Sequence, residues 1–211
     1  MIKTIIFDFD GTLADTRQIV QDIFNQLAPK YGFKLITDAE IENLRDHSAR
    51  EFFKSLRVNP FKIPSLIKTA KAGMAEKIKY AKAFDGIAEM LCELKNLQFT
   101  LGVLTSNSVE NVQTFLDNNK LTQLDFIDSE NDLFGKDKAL NALIKKFNLV
   151  KSEVIYVGDE TRDIDACKKA GVKIIAVTWG FNSEKALNQL KPDFLINNPA
   201  ELVEIVKEKI V

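Results

Sequence analysis

Along the chain, short and nearly continuous apolar runs alternate with longer stretches in which apolar residues recur every three or four positions. The runs at Thr4 to Phe9, Phe99 to Leu104, Asp125 to Ile127, Val154 to Val157, Lys173 to Val177 and Phe194 to Ile196 predict strands, and most are followed by a helical pattern. Runs such as VIYV and KIIAV have no polar alternate face. They predict parallel strands buried on both sides by crossover helices, an α/β fold.

One region breaks this rhythm. Between Thr16 and Ala83 the pattern is helical, with no convincing strand. Ile63, Leu66, Ile67, Ala70, Met74 and Ile78 keep helical spacing, while Lys68, Lys71, Lys77, Lys79 and Lys82 lie mostly elsewhere. Pro29, Pro60 and Pro64 divide the region into several helices. The expected organisation is a core formed by residues 1–15 and 84–211, with a small helical domain, 16–83, inserted after the first strand. Phe84-Asp85-Gly86 returns the chain to the α/β layer.

A length of 211 residues suits such a core plus insert. With 28% charged residues and a net charge of -1, nothing global draws the chain to nucleic acid or to a membrane. Charge is unevenly spread, however. Residues 16–83 carry 13 Lys plus Arg against 7 Asp plus Glu, a net of +6, which leaves -7 for the remainder. A basic lid over an acidic base would suit an anionic substrate held with a cation, although most single lysines there are read as solvated. Cys92 and Cys167 are far apart, in helical segments, and give neither a disulfide framework nor a zinc pattern. The N-terminal apolar run is broken by acids after residue 7, unlike a signal peptide or anchor. A cytoplasmic protein is expected. With His47 as its one histidine, the chain cannot build a multi-histidine metal site; GxSxG is absent, and Gly135-Lys136 is followed by Asp137, so it forms no Walker loop.

Ligands in open α/β sheets bind beyond the carboxyl ends of the strands. The first strand ends in Asp8-Phe9-Asp10-Gly11-Thr12, the next in Thr105-Ser106-Asn107, and VIYV in Gly158-Asp159-Glu160-Thr161-Arg162-Asp163; Gly135-Lys136 lies one helix ahead of that strand. Asp8, Asp10, Asp159 and Asp163 against Lys136 sum to -3, a cluster that needs a cation. An all-oxygen set suits Mg²⁺ better than zinc or copper. A carboxylate is ionised at neutral pH, and its natural electrophile is a phosphoryl group, as in aspartyl-phosphate enzymes. Asp10 follows Asp8 at i+2, on the same face of a strict strand. One acid can therefore attack phosphorus while the other serves the leaving oxygen and then water. Thr105 can hold a phosphoryl oxygen, and Gly11 permits a sharp turn. Taken singly, each of these groups has a plainer reading as a turn, a helix cap or a surface charge. It is their joint occurrence at successive strand ends that favours the phosphoryl-transfer site. In LRDHSARE, Arg45, His47 and Arg50 are either substrate contacts or part of a solvated turn in which Ser48 caps the next helix. Arg162 is expected at the surface or behind the site, and Trp179 and Phe181 either border the site or pack.

These motifs resemble, in order, those of the haloacid dehalogenase-like hydrolases in their phosphatase branch. Asp8-Phe9-Asp10-Gly11-Thr12 is similar to the DxDGT signature, Thr105 to the strand-end Thr/Ser, Lys136-Asp137-Lys138-Ala139-Leu140 to K-x-x-A-L, and Gly158-Asp159 through Asp163 to GDxxxD. AGVKIIAVTWGF and KPDFLI look like phosphoglycolate phosphatase-like members. The resemblance implies a Rossmannoid parallel-sheet core with a helical cap at the C1 position. It implies Asp8 as nucleophile and metal ligand, Asp10 as acid/base with its backbone carbonyl on the metal, Asp159 as a ligand, and Asp163 supporting the metal directly or through water. Thr105, Ser106, Asn107 and Lys136 would bind phosphate, with Lys136 preferred to Lys138 as the motif lysine. The expected activity is Mg²⁺-dependent hydrolysis of a small phosphorylated metabolite through an aspartyl-phosphate, by a monomer or homodimer. Asp10 favours phosphate esters over haloacids. The competing readings are a sugar phosphomutase of the β-phosphoglucomutase kind and a non-catalytic phospho-accepting module.

Overall fold

Strand β1 (Thr4–Phe7), with every residue buried, lies inside a six-stranded sheet. It pairs in parallel with β4 (Thr100–Thr105) on one side and β6 (Val154–Gly158) on the other. With β5 (Phe126–Ser129), β7 (Lys173–Val177) and β8 (Phe194–Ile196), the sheet order is β5-β4-β1-β6-β7-β8, parallel throughout. The computed structural model describes residues 1–129 and 135–210.

Alternate strand residues supply two separate apolar layers. Ile5, Phe7, Leu101, Val103, Ile155 and Val157 face α5 (Ile87–Asn96), α6 (Val109–Asn119) and α10 (Pro199–Ile205), through Leu91, Phe115 and Leu202 among others. Ile6, Leu104, Tyr156 and Ile174 face α7 (Lys136–Lys146), α8 (Thr161–Ala170) and α9 (Glu184–Gln189), through Leu140, Ile164 and Leu187. Burial on both faces is what the unbroken apolar runs required. The chain leaves β1 for β4 on one side and β6 on the other, so a crevice opens at the carboxyl end of β1.

Several strand ends differ from the sequence expectation: β4 is shifted by one residue at each end and β6 runs one residue further. β1 stops at Phe7, not Phe9, because the Phe9 carbonyl turns inward to accept the Leu13 and Ala14 amides, both at 3.0 Å. Only Asp8 stays in register, donating its amide to the Val157 carbonyl at 2.8 Å. β5 starts one residue later than expected and runs to Ser129.

The chain leaves the core through β2 (Ala14–Asp15) and returns through β3 (Lys82–Ala83), paired antiparallel. β3 corrects the expectation that no strand lies between 16 and 83; two residues are too few to leave a periodic trace. Between them run α1 (Arg17–Tyr31), α2 (Asp38–Leu44), α3 (Ala49–Ser55) and α4 (Ile63–Lys77). Pro29 does not divide the region: it sits inside α1, which ends three residues later at left-handed Gly32. Thr37 and Ser48 form capping boxes with Glu40 and Glu51, so the reading of Ser48 as a cap holds. Phe24, Phe53, Val58 and Leu66 belong to a third apolar cluster built wholly from this segment. No helix among the described residues is long and apolar enough to cross a membrane.

Candidate active site

Asp8 stands where β1 meets the crevice and is 3% exposed. Its Oδ1 accepts the Phe9 amide at 2.8 Å and its Oδ2 the Lys136 ammonium at 2.7 Å. Lys136, the first residue of α7, also donates to Asp163 Oδ1 at 2.5 Å. Asp163 lies in the first turn of α8, where its Oδ2 accepts the Glu160 amide at 3.0 Å. Asp159 follows β6, and each of its carboxylate oxygens has a donor. The Thr12 hydroxyl and the Phe181 amide each donate at 2.7 Å.

Backbone without side chains makes room for these acids. A Cβ on Gly11 or Gly180 would run into the Asp159 carboxylate, and one on Gly158 into Asp163. Gly11 carries a second constraint, a φ of 80° that β-carbon-bearing residues seldom adopt. The signature glycine is thus fixed by both its backbone and its neighbour.

Asp8, Asp159 and Asp163 bring one oxygen each within 4.8 Å of one another, all buried. With Lys136 they sum to -2 when ionised, where water is excluded. Burial pushes Asp8 up to about 7, against the opposing pull of Lys136. Burial likewise holds Asp159 well above the ordinary carboxylate range, with Glu160 and Asp8 adding repulsion. Burial alone would lower Lys136, yet Asp163 and Asp8 more than reverse it and keep the ammonium charged. A divalent cation would cancel the remaining charge, and the hard, all-oxygen donors fit Mg²⁺.

Asp10 is not part of that trio. Having left the strand, it turns to the Asn107 amide, which donates to Oδ2 at 3.3 Å, while its buried Oδ1 accepts no hydrogen bond. Burial raises its pKa, with Thr16 and Asn107 offsetting part of the rise. A raised pKa and one unengaged oxygen suit Asp10 to carry and donate a proton into the crevice.

Thr105 closes β4, fully buried, and its Oγ1 accepts the Asn107 amide at 3.0 Å. Asn107 is itself held by Asn111 (2.6 Å) and, through its carbonyl, by Ser129 (2.6 Å). The helix cap here is Ser108, at the N-terminus of α6. Ser106 and Asn107 line the cavity with Asp8 and Asp10.

That cavity, about 260 Å³, lies between the strand ends and helices α1 to α4. Arg45 and His47 line it, whereas Arg50 does not. Arg162 lines it as well and pairs with Glu160 at 2.5 Å, so it belongs at the crevice rather than on the outer surface. Phe181 borders the cavity; Trp179 packs edge-on to Phe84 and donates to the Thr12 carbonyl at 3.1 Å. Of the insert's lysines, Lys68, Lys79 and Lys82 are exposed and Lys71 reaches the cavity wall.

Two residues escaped sequence reasoning. Thr12 binds Asp159, a role legible only as part of its motif. Asn182 is buried and joins the helical insert to the acidic loop: its Nδ2 donates to the Arg45 and His47 carbonyls, both at 2.9 Å, and its Oδ1 accepts the Thr161 amide at 2.8 Å. Nothing in the sequence around Asn182 signals this.

A family model described as haloacid dehalogenase-like hydrolase matches residues 5–177. The chain is 33% identical over 208 residues to a phosphoglycolate phosphatase of Synechococcus elongatus, covering 98% of each. It is 30% identical over 225 residues to a pyrophosphatase, PpaX, of Halalkalibacterium halodurans, covering 99% of this chain and 98% of the relative. The fold is similar to that of a haloacid dehalogenase-like family hydrolase from Streptococcus pneumoniae, with a TM-score of 0.81 at 22% identity over 96% of this chain and 97% of the other.

Proposed function

We infer the chemistry below for a chain that belongs to the haloacid dehalogenase-like hydrolases and is a phosphatase. It hydrolyses a small phosphomonoester in two steps through Asp8. One observation carries the reading: a buried carboxylate at the end of the central strand, anchored on both oxygens and within reach of Asp159, Asp163 and Lys136.

In the first step an Asp8 oxygen forms a bond to phosphorus as the bond from phosphorus to the ester oxygen breaks. Asp10 gives its proton to the departing alcohol. In the second step Asp10, now ionised, takes a proton from a water that attacks the aspartyl-phosphate. Phosphate leaves and Asp8 is restored. Lys136 holds Asp8 in line and neutralises charge on the phosphoryl oxygens, and the Thr105 hydroxyl with the Ser106–Asn107 backbone offers further donors. Mg²⁺, held by Asp8 and Asp159 with the Asp10 carbonyl and with Asp163 as support, would lower the repulsion between carboxylate and phosphate. Residues 16–83 act as a cap over this site, a reading supported by their separate apolar cluster and by the bonds to Asn182. Free cysteines, Cys92 exposed and Cys167 buried, suit a reducing cytoplasm.

The test is phosphate release from a panel of esters with Mg²⁺ and with EDTA, for the wild type and Asp8→Asn. Metal-dependent release that the variant lacks is the expected result; an Asp8→Asn protein as fast as the wild type would refute the nucleophile.

A further inference from the structure

The cavity that begins at Asp8 and Asp10 does not stay polar. Away from the acids its walls are Ile23, Phe24, Leu44, Phe52, Ile67 and Met74, drawn from all four helices of the insert except for the capping turns. Phe24 and Phe52 meet edge to face at 5.2 Å and form one aromatic corner. The same space is therefore charged at the strand ends and oily beneath the helices.

Many of the polar groups on its wall are already engaged, while Asp10 Oδ1, Arg45 Nε and Lys71 keep free capacity near the charged end. The Gln21 amide nitrogen donates to the Ile36 carbonyl and to Asp38. Asn107 and Asn182 are tied as described, Arg45 binds Glu42 and the Thr178 carbonyl, and Arg162 binds Glu160. A polyol reaching the oily end, among Phe24, Phe52, Ile67 and Met74, would lose water without gaining partners there, a penalty of about tenfold or more for each hydroxyl so buried. This disfavours sugar phosphates and with them the mutase alternative. A two-carbon carboxylic acid would fill little of the volume, although Lys71, which has no ion pair among the described residues, could meet its charge.

Building on the phosphatase reading above, we propose that the preferred substrates are phosphomonoesters of apolar alcohols, with an aliphatic or aromatic body seated among Phe24, Phe52, Ile67 and Met74. Size agrees with this. A cavity of ~150 Å³ accommodates a benzene ring, so about 260 Å³ leaves space for a phosphoryl group and a body of that order.

The experiment compares kcat/KM of the Mg²⁺-loaded wild type for ethyl, butyl, hexyl and benzyl phosphate with that for phosphoglycolate, glycerol phosphate and glucose 6-phosphate. Each added methylene is expected to raise kcat/KM about fourfold until the cavity is filled, with benzyl phosphate near the top. Ala70→Phe and Ala49→Leu, each adding bulk to the wall, should cut the hexyl-to-ethyl ratio by about tenfold, with circular dichroism used to confirm folding. A flat chain-length series, or a preference for phosphoglycolate or the sugar phosphate, overturns the proposal and leaves the phosphatase standing. If no ester at all is hydrolysed, the two-step phosphatase reading falls and takes the proposal with it.

Discussion

Lys136→Met removes the ammonium that buried Asp8 and Asp163 share while keeping much of the side chain's length. Both of its ion pairs, to Asp8 at 2.7 Å and Asp163 at 2.5 Å, are nearly inaccessible to water at either end. Solvent screening, which makes exposed pairs almost worthless, gives no relief here. Breaking a buried pair by deleting one partner costs about 3–5 kcal/mol, because the charge left behind is uncompensated. That is a large share of the ~5–15 kcal/mol that a domain has in total.

The loss should depend on pH, and the sign follows from Asp8. Its folded pKa is raised to about 7, above the unfolded value near 3.9. Between those values the folded state holds a proton that the unfolded state has released, so stability falls as pH rises through the window. Removing Lys136 removes the main opposing charge and steepens that fall. Urea unfolding in EDTA near pH 5.5 and near pH 8 measures it: a smaller loss in the acid sample, where Asp8 is protonated and Asp163 alone is left without its partner, and about 3–5 kcal/mol in the alkaline one. A Lys136→Met protein that loses under about 1 kcal/mol at pH 8, or the same amount at both pH values, would show that these charges do not meet as described.

The other predictions bear on different parts of the site. In EDTA the wild type should melt at a lower temperature near pH 8 than near pH 5.5, since burial raises Asp8, Asp10 and Asp159 alike; Mg²⁺ should restore the alkaline melting temperature, and calorimetry showing no response to the ion would remove the metal from these carboxylates. Asp10→Asn should slow ester hydrolysis by about a hundredfold or more, and an unchanged rate would take Asp10 out of proton transfer. Gly11→Ala forces a β-carbon into the Asp159 carboxylate at a left-handed residue; a destabilisation above about 1 kcal/mol is expected, and a urea midpoint equal to that of the wild type would contradict the packing. Asn182→Ala deletes two hydrogen bonds between insert and core, each worth about 1 kcal/mol, so KM should rise and limited proteolysis of the 45–62 segment should quicken; unchanged cleavage and KM would mean that the insert is held elsewhere.

What the sequence revealed depended on whether a side chain's role left a local trace. The buried inner strands β1, β4, β6 and β7 did, because covering both faces removes polar alternation, and the acids did, because ionisable residues directly after such runs have no packing reason to be there. Asp10 was misjudged in geometry: a strict strand would align it with Asp8, but the turn at the Phe9 carbonyl sends it to Asn107. The apolar positions of α4 were legible as a helical face, yet spacing cannot distinguish a wall facing a cavity from one facing a neighbour; Ile67 and Met74 are both. Asn182 was illegible because its partners are backbone carbonyls more than a hundred residues away.

Those carbonyl contacts link the helical insert to the acidic cluster. The loop after β7 holds Asp159 through the Phe181 amide and, one residue later, holds the insert through Asn182. Asn182 also reaches back to the Thr161 amide in the first turn of α8, the turn that carries Asp163. One short loop thus touches two of the three clustered carboxylates, or their supports, and the segment roofing the cavity. Release of the Arg45 and His47 carbonyls would leave them, and the buried Asn182 amide, to be satisfied by water, so opening the insert would also wet this edge of the site. On the cap reading proposed above, closure would expel that water, and the oriented donors around Asp8 and Asp159 would act on phosphate most strongly once it is gone.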